Sequence, residues 1–152
     1  MPRSPPLRFE VSPSWSNEQL NRLYSEAWPH HTTFDFAPVL ERSLGFVCAY
    51  RGDRLVGFVY LAWDGAQHAF LLEPTVSLGL RRQGIGKELV RRAVAVARKR
   101  GLEWVHVDFE PSVRNFYLAC GFVPTEAGLI HLNRRSRRGR LSARPGQTGF
   151  VA

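Results

Sequence analysis

The segment Arg81-Arg82-Gln83-Gly84-Ile85-Gly86-Lys87 packs three cations and two glycines into seven residues, between an apolar stretch (residues 70–76) and a helix-patterned one (88–100). The chemistry open to such a segment is anion binding. The first N–H groups of a helix have no intrahelical acceptor and sit at the positive end of the helix dipole. Gly84 and Gly86 withhold the Cβ atoms that would keep a diphosphate away from those amides, and Arg81, Arg82 and Lys87 surround them with full charges. A basic turn whose glycines only ease a helix start is the plain alternative. The order strand, loop, helix favours a ligand loop over it.

Two familiar phosphate loops fail on spacing. A P-loop needs Ser or Thr after its lysine, whereas Glu88 follows Lys87. A dinucleotide fingerprint needs a third glycine, and Leu89 occupies that position after Gly84-Ile85-Gly86.

The elements that must position this loop can be read from period and punctuation. Strands are expected at 7–11, 44–50, 55–63 and up to Val76, then at 103–109, with a closing pair of strands across 122–132. A helix opens at Ser16 or Asn17 and runs to Trp28, where Pro29 ends it, and a short helix follows at 38–43. Leu89, Ala93, Val96 and Val90, Val94, Ala97 recur at helical spacing through the long helix, which marks a core-facing stripe capped at Gly101. A last helix is expected at 111–120. The expected fold is α/β: a mixed, mostly antiparallel central sheet flanked by helices on both faces.

Composition bounds the rest. The chain has 152 residues, 44% of them hydrophobic, enough for one proper core. It has no apolar run approaching the roughly 20 residues that cross a bilayer and no signal-peptide pattern near Met1, so a cytoplasmic protein is expected. Cys48 and Cys120 supply neither a disulfide framework nor a zinc site and read as small buried hydrophobes. The five histidines (His30, His31, His68, His106, His131) lack ligand spacing, so no metal is expected, although His30 and His31 could line an acceptor pocket. Of the net charge of +8, six arginines fall in residues 133–152, leaving 15 basic against 13 acidic residues elsewhere. The body, residues 1–132, reads as one domain. The arginine-rich end, without aromatic residues among its arginines, reads as a solvated, disordered tail.

Arg81-x-x-Gly84-x-Gly86 resembles the acyl-CoA signature Q/R-x-x-G-x-G/A of the GCN5-related N-acetyltransferase (GNAT) family. Phe116-Tyr117 followed by Gly121-Phe122 matches a second hallmark of that family. The likeness implies an acetyl-CoA-dependent N-acetyltransferase that moves the acetyl group onto a primary amine by direct attack, with no metal. It implies that the diphosphate lies on the amides of residues 83–87 (Gln83, Gly84, Ile85, Gly86, Lys87), flanked by Arg81 and Arg82. The pantetheine arm then runs along the backbone near Val76 and Leu78, where a family strand splays, with an N–H at Val76 stabilising the oxyanion. Tyr117 is implied as the acid at the departing thiolate. The family's Asn and Ala are replaced here by Glu110 and Val113, which puts one CoA contact in question.

Attack requires a neutral amine, and Glu73, a lone carboxylate in the apolar strand, is the first candidate base. Pro74 beside it suggests a bulge, which leaves its facing open. Asp108, Glu110 and His106 are weaker candidates, and Glu26 and Asp35 could collect a cationic acceptor. Two other readings stay open: a catalytically silent CoA-binding regulatory domain, and an RNA-directed acyltransferase using the basic tail. A homodimer through sheet edges or closing strands, with Trp15, Trp28 or Trp63 at the interface, is a further possibility beside their burial in the core.

Overall fold

A computed structural model describes residue 1 and residues 3–133; the arginines of the tail lie outside the described residues. The elements run β1 (Leu7–Val11), α1 (Asn17–Ala27), α2 (Ala37–Arg42), β2 (Gly45–Arg51), β3 (Arg54–Trp63), β4 (His68–Val76), α3 (Ile85–Lys99), β5 (Trp104–His106) and α4 (Arg114–Ala119). Single 3-10 turns occupy Leu78–Leu80 and Pro111–Val113.

The sheet has five strands in the order β1-β2-β3-β4-β5. The first four are antiparallel neighbours and β5 runs parallel to β4. Strand alternation sorts the core into two layers. Val47 and Ala49 of β2 point to one side, where Ile85, Leu89, Val90, Ala93 and Ala97 of α3 cover them together with Tyr117 of α4. Phe46, Cys48 and Tyr50 point to the other side, against Leu20, Leu23, Tyr24 and Ala27 of α1 and Leu40 of α2. Helices therefore flank both faces of a mostly antiparallel sheet, as the periodicity predicts. Burying Leu89 and Val90 completely contributes roughly 1.5–3 kcal/mol each.

Local sequence explains the element ends. Ser16 caps α1 through its hydroxyl, which accepts the Gln19 N–H at 3.3 Å. Asp35 accepts the Ala37 N–H at 3.0 Å and steadies the start of α2. Gly57 matters for the site. A Cβ there would lie 3.1 Å from both Ala49 Cβ and Leu89 Cδ1 and 3.3 Å from Ile85 Cγ2, so the missing side chain lets the first turns of α3 settle on β3.

Three expectations need correction. The strand predicted at 103–109 is only Trp104–His106 long, because β5 pairs with β4 through no more than His68, Ala69 and Phe70. The helix predicted at 111–120 is a 3-10 turn followed by the six-residue α4. No closing pair of strands forms at 122–132: residues 122–131 have no regular structure, and Val123, Ile130 and Leu132 are exposed. Pro124 and Gly128 interrupt the pattern, and no strand of the described residues offers this segment a ladder. Cys48 is buried as expected, whereas Cys120, at the end of α4, is only partly so. Of the tryptophans, Trp28 is buried, and Trp15 and Trp63 pack on the two core layers, Trp63 beneath the Arg100 guanidinium at 5.4 Å. Among the described residues no helix is long and apolar enough to cross a membrane.

Candidate functional site

The site is built where β4 ends and α3 begins. Gly84 is the N-cap of α3 with φ 82° and ψ 2°, a left-handed conformation that glycine adopts without strain. It has no side chain with which to cap the helix. The Glu88 N–H bonds the Gly84 carbonyl at 3.1 Å, so helix geometry leaves the Ile85, Gly86 and Lys87 amides facing out of the end. Arg82, Gln83 and Lys87 are exposed around them, with Arg82 itself at φ 60°. Glu88, the one acid of this turn, is bonded to Arg91 at 2.6 and 2.8 Å and to Arg92 at 2.7 Å. Those bonds hold its carboxyl at about 2, and they compensate a negative charge that would repel a bound anion.

Arg81 does something different from the other cations. Its Nε donates to the Val76 carbonyl at 3.4 Å and an NH2 reaches the Ala27 carbonyl at 3.5 Å. The guanidinium ties the loop to the ends of β4 and α1 rather than standing free for phosphate.

Beside the loop, β4 has an open edge. Its parallel register with β5 stops at Phe70 opposite His106, while β4 itself continues to Val76. The strands thus part where a ligand arm needs main chain to bond. Ser77 N–H donates inward to the Val56 carbonyl at 2.8 Å, and by antiparallel alternation the preceding Val76 N–H points the other way, into the opening. Leu78 lies exposed at the mouth.

Tyr117 shares an apolar cluster with Val76, Ile85 and Leu89. Its ring stacks on Phe109 at 4.9 Å and meets Phe116 and Phe122 edge-on. Burial, with Cys120 and Asp108 adding negative character nearby, pushes its phenol well above the ordinary value. The proton is therefore secure through the whole physiological range.

Glu73 sits on the bulge that Pro74 suggests. Register passes from Phe58 opposite Thr75 to Tyr60 opposite Leu72, so Glu73 and Pro74 together face Val59. Glu73 has φ 52°, and its Oε2 accepts the Tyr24 hydroxyl at 2.8 Å. The bulge turns this carboxylate toward α1, the side opposite α3. His31 is alongside: its ring lies 5.5 Å from Tyr24, and its Nε2 is 2.9 Å from Asn21 Oδ1. Partial burial lowers the pKa of His31.

The other candidates are placed elsewhere. His106 is on the exposed sheet face, its Nε2 2.7 Å from His68 Nδ1 and its ring stacked on Phe70. Glu110 opens the 3-10 turn before α4. Glu26 does not wait for a cationic acceptor: it binds Arg54 at 2.8 and 3.0 Å and accepts the Ser77 hydroxyl at 2.8 Å. Asp35, just before the Phe36 N-cap of α2, accepts the Ala37 N–H. His30 is exposed on its loop. Among the described residues no three His, Cys, Asp or Glu side chains gather as metal ligands would.

Sequence reasoning missed Tyr24, Trp28 and Ser77. Tyr24 falls at helical spacing with Leu20, Leu23 and Ala27, which reads as core, and only the fold shows its hydroxyl meeting Glu73.

Residues 14–122 match the acetyltransferase (GNAT) family. The chain belongs to that family. It is similar to a GNAT family acetyltransferase of Streptococcus pneumoniae, with 26% identity, 85% of this chain and 99% of the other covered, and a TM-score of 0.71. A Bacillus subtilis acetyltransferase solved in complex with CoA aligns at 27% identity over 76% of each chain, with a TM-score of 0.59. A probable glucosamine 6-phosphate N-acetyltransferase of rice (Oryza sativa subsp. japonica) is 34% identical over 59 residues. That match spans 39% of this chain and 36% of the rice protein. The family's chemistry is acetyl transfer from acetyl-CoA to an amine.

Proposed function

We propose that this chain carries an acetyl group from acetyl-CoA to a primary amine in one direct step. The observation that carries the reading is the conjunction at one place of a left-handed glycine cap, outward amides at the start of α3 and a bare edge on β4. The amides of residues 83–87 with Arg82 and Lys87 hold the diphosphate, Arg81 braces the loop, and the arm follows the Val76 to Leu78 backbone.

In the transfer, the amine nitrogen attacks the thioester carbon, the carbonyl oxygen becomes an oxyanion, and the C–S bond breaks as the amide forms, the proton shed by the nitrogen passing to the departing thiolate. The outward Val76 N–H supports the oxyanion. Glu73 takes the ammonium proton before attack. Tyr117 faces the leaving sulfur with a proton that burial holds firmly. The same burial makes it a weaker acid, so its role is a hydrogen bond to the thiolate, with full transfer following rather than leading. The acceptor enters from the side of α1 and the 28–36 loop, where Glu73, Tyr24 and His31 meet.

Thermal unfolding with and without acetyl-CoA tests the cofactor. Release of free thiol is then followed with glucosamine 6-phosphate, spermidine and a lysine-bearing peptide as acceptors. A midpoint that rises with acetyl-CoA, together with amine-dependent thiol release, is the expected result. No rise at all overturns the reading. A rise without release from any amine favours a CoA-binding regulatory domain instead. We place the reaction in the cytoplasm, in keeping with two free thiols, Cys48 and Cys120. Removing residues 133–152 leaves the acetyl-CoA effect unchanged on this reading, and the RNA-directed alternative requires that the same truncation abolish a salt-dependent binding.

A further inference from the structure

Glu73 occupies a backbone conformation that its residue type does not favour. At φ 52° it is one of three non-glycine residues with positive φ among those described, and it alone of them sits inside a strand of the sheet interior. A left-handed residue of this kind costs on the order of 1–3 kcal/mol and persists only where its surroundings impose it. Here two contacts impose it. The Tyr24 hydroxyl donates to Glu73 Oε2 at 2.8 Å, and the Thr75 hydroxyl donates to the Glu73 carbonyl at 2.9 Å. Thr75 Oγ1 in turn accepts the Trp28 indole N–H at 3.4 Å. Tyr24 comes from the penultimate turn of α1 and Trp28 is its C-cap, and both are buried.

We infer that Tyr24 is the positioning residue for the Glu73 carboxylate, fixing from α1 the direction in which the acceptor's proton is received. The inference rests on the proposed role of Glu73 as the base. Tyr24 suits the task because its ring has no freedom of its own. It is wedged edge-on against Phe36 at 4.9 Å and Phe58 at 6.2 Å. Burial first, and the Glu73 charge second, raise its pKa, so it donates at every pH at which the enzyme works. The titratable groups around the Glu73–Tyr24 pair include Tyr60 from β3 and His31 from the loop after α1; both tyrosines keep their protons well beyond neutrality, and partial burial lowers the pKa of His31. One Glu73 oxygen is thereby held by Tyr24 in a fixed orientation.

The test is a double-mutant cycle of Tyr24→Phe and Glu73→Gln, with turnover read on whichever amine of the panel above reacts fastest. Tyr24→Phe is expected to lower kcat by about tenfold or more, the size of a charge-assisted hydrogen bond, with the KM for acetyl-CoA unchanged. In a Glu73→Gln background it adds less than about twofold, because a positioning residue has nothing left to position. Independent, multiplying effects overturn the inference while leaving the base intact. If Glu73→Gln alone leaves kcat unchanged, the base reading itself fails. A readout without any acceptor is the 13C resonance of the labelled Glu73 carboxyl. Its titration moves to higher pH in Tyr24→Phe, since the lost bond favoured the charged form. An unmoved titration overturns the inference. Should Tyr24→Phe not fold, 3-fluorotyrosine placed at position 24 keeps the ring and makes its hydroxyl a stronger donor, so the Glu73 titration moves to lower pH, and an unmoved titration overturns the inference.

Discussion

Replacing Gly84 by Ala separates the strain of a left-handed backbone from the loss of a ligand's seat. At φ 82° an alanine is strained, and nothing beyond its own chain neighbours lies within 4 Å of where its Cβ would stand. Gly65, in the β3–β4 turn, is a matched control: φ 83°, and likewise nothing within 4 Å. Each substitution costs roughly 1–2 kcal/mol from the left-handed conformation alone. At roughly 2–4 °C per kcal/mol, both apo midpoints fall by roughly 2–8 °C. Acetyl-CoA then divides them. At a concentration of 100 times Kd the native chain gains about 2.7 kcal/mol, or roughly 5–10 °C. Gly65→Ala keeps that rise. In Gly84→Ala the new methyl stands between the diphosphate and the first amides of α3. Losing two charge-assisted hydrogen bonds at about 1.5 kcal/mol each weakens binding by about 100-fold or more. The gain falls to about 0.4 kcal/mol, a rise of about 1 °C. Scanning fluorimetry of the three proteins with and without acetyl-CoA decides the matter. Equal rises in the two variants would show that the cofactor does not sit on Gly84.

Tyr117→Phe leaves the ring on Phe109 and the fold intact, and it lowers kcat by roughly 10- to 100-fold with the acetyl-CoA-induced midpoint rise unchanged; steady-state kinetics beside fluorimetry checks both halves. Glu88→Gln removes a carboxylate whose folded pKa of about 2 lies below its unfolded value, so its contribution is present above about 4.5 and is lost as pH falls toward 2. Its arginine partners are solvent-exposed to 65% and 36%, which limits the cost to about 1 kcal/mol or less at pH 7, and urea midpoints of the two proteins should converge as pH falls through that window.

The sequence exposes the parts of this fold that local chemistry dictates and conceals the parts that only neighbours dictate. The glycine cap of α3 was legible because a left-handed N-cap and outward amides demand particular residue types at particular spacing. The start of α1 was legible from Ser16, a capping hydroxyl two residues before Glu18. By contrast, the length of β5 depends on where β4 stops pairing with it, a matter of two distant segments, and the expected strands at 122–132 depend on a ladder that no described strand extends. Pro74 signalled a bulge at Glu73 without showing to which face it turned the carboxylate. That direction is set by Tyr24, which lies 49 positions away in sequence. For the same reason Glu26 looked available in the sequence and proves to be engaged by Arg54 and Ser77.

These long-range contacts form a seam with a consequence for how the two substrates communicate. The end of α1 touches β4 and the residue just after it at alternate positions: Tyr24 at Glu73, Trp28, the C-cap of α1, at Thr75, and Glu26 at Ser77. Alternation along the strand puts all three side chains on the same face of β4 once the bulge has turned Glu73, so one helix edge can bind them in series. Arg81 closes the seam from the cofactor side by gripping the carbonyls of Ala27 and Val76 together. The loop before α3 and the Glu73 carboxylate are therefore attached to the same stretch of chain, residues 24–28. If acetyl-CoA seats on this loop as proposed, a shift of Arg81 or Val76 loads the end of α1, and α1 in turn carries the hydroxyl bonded to Glu73.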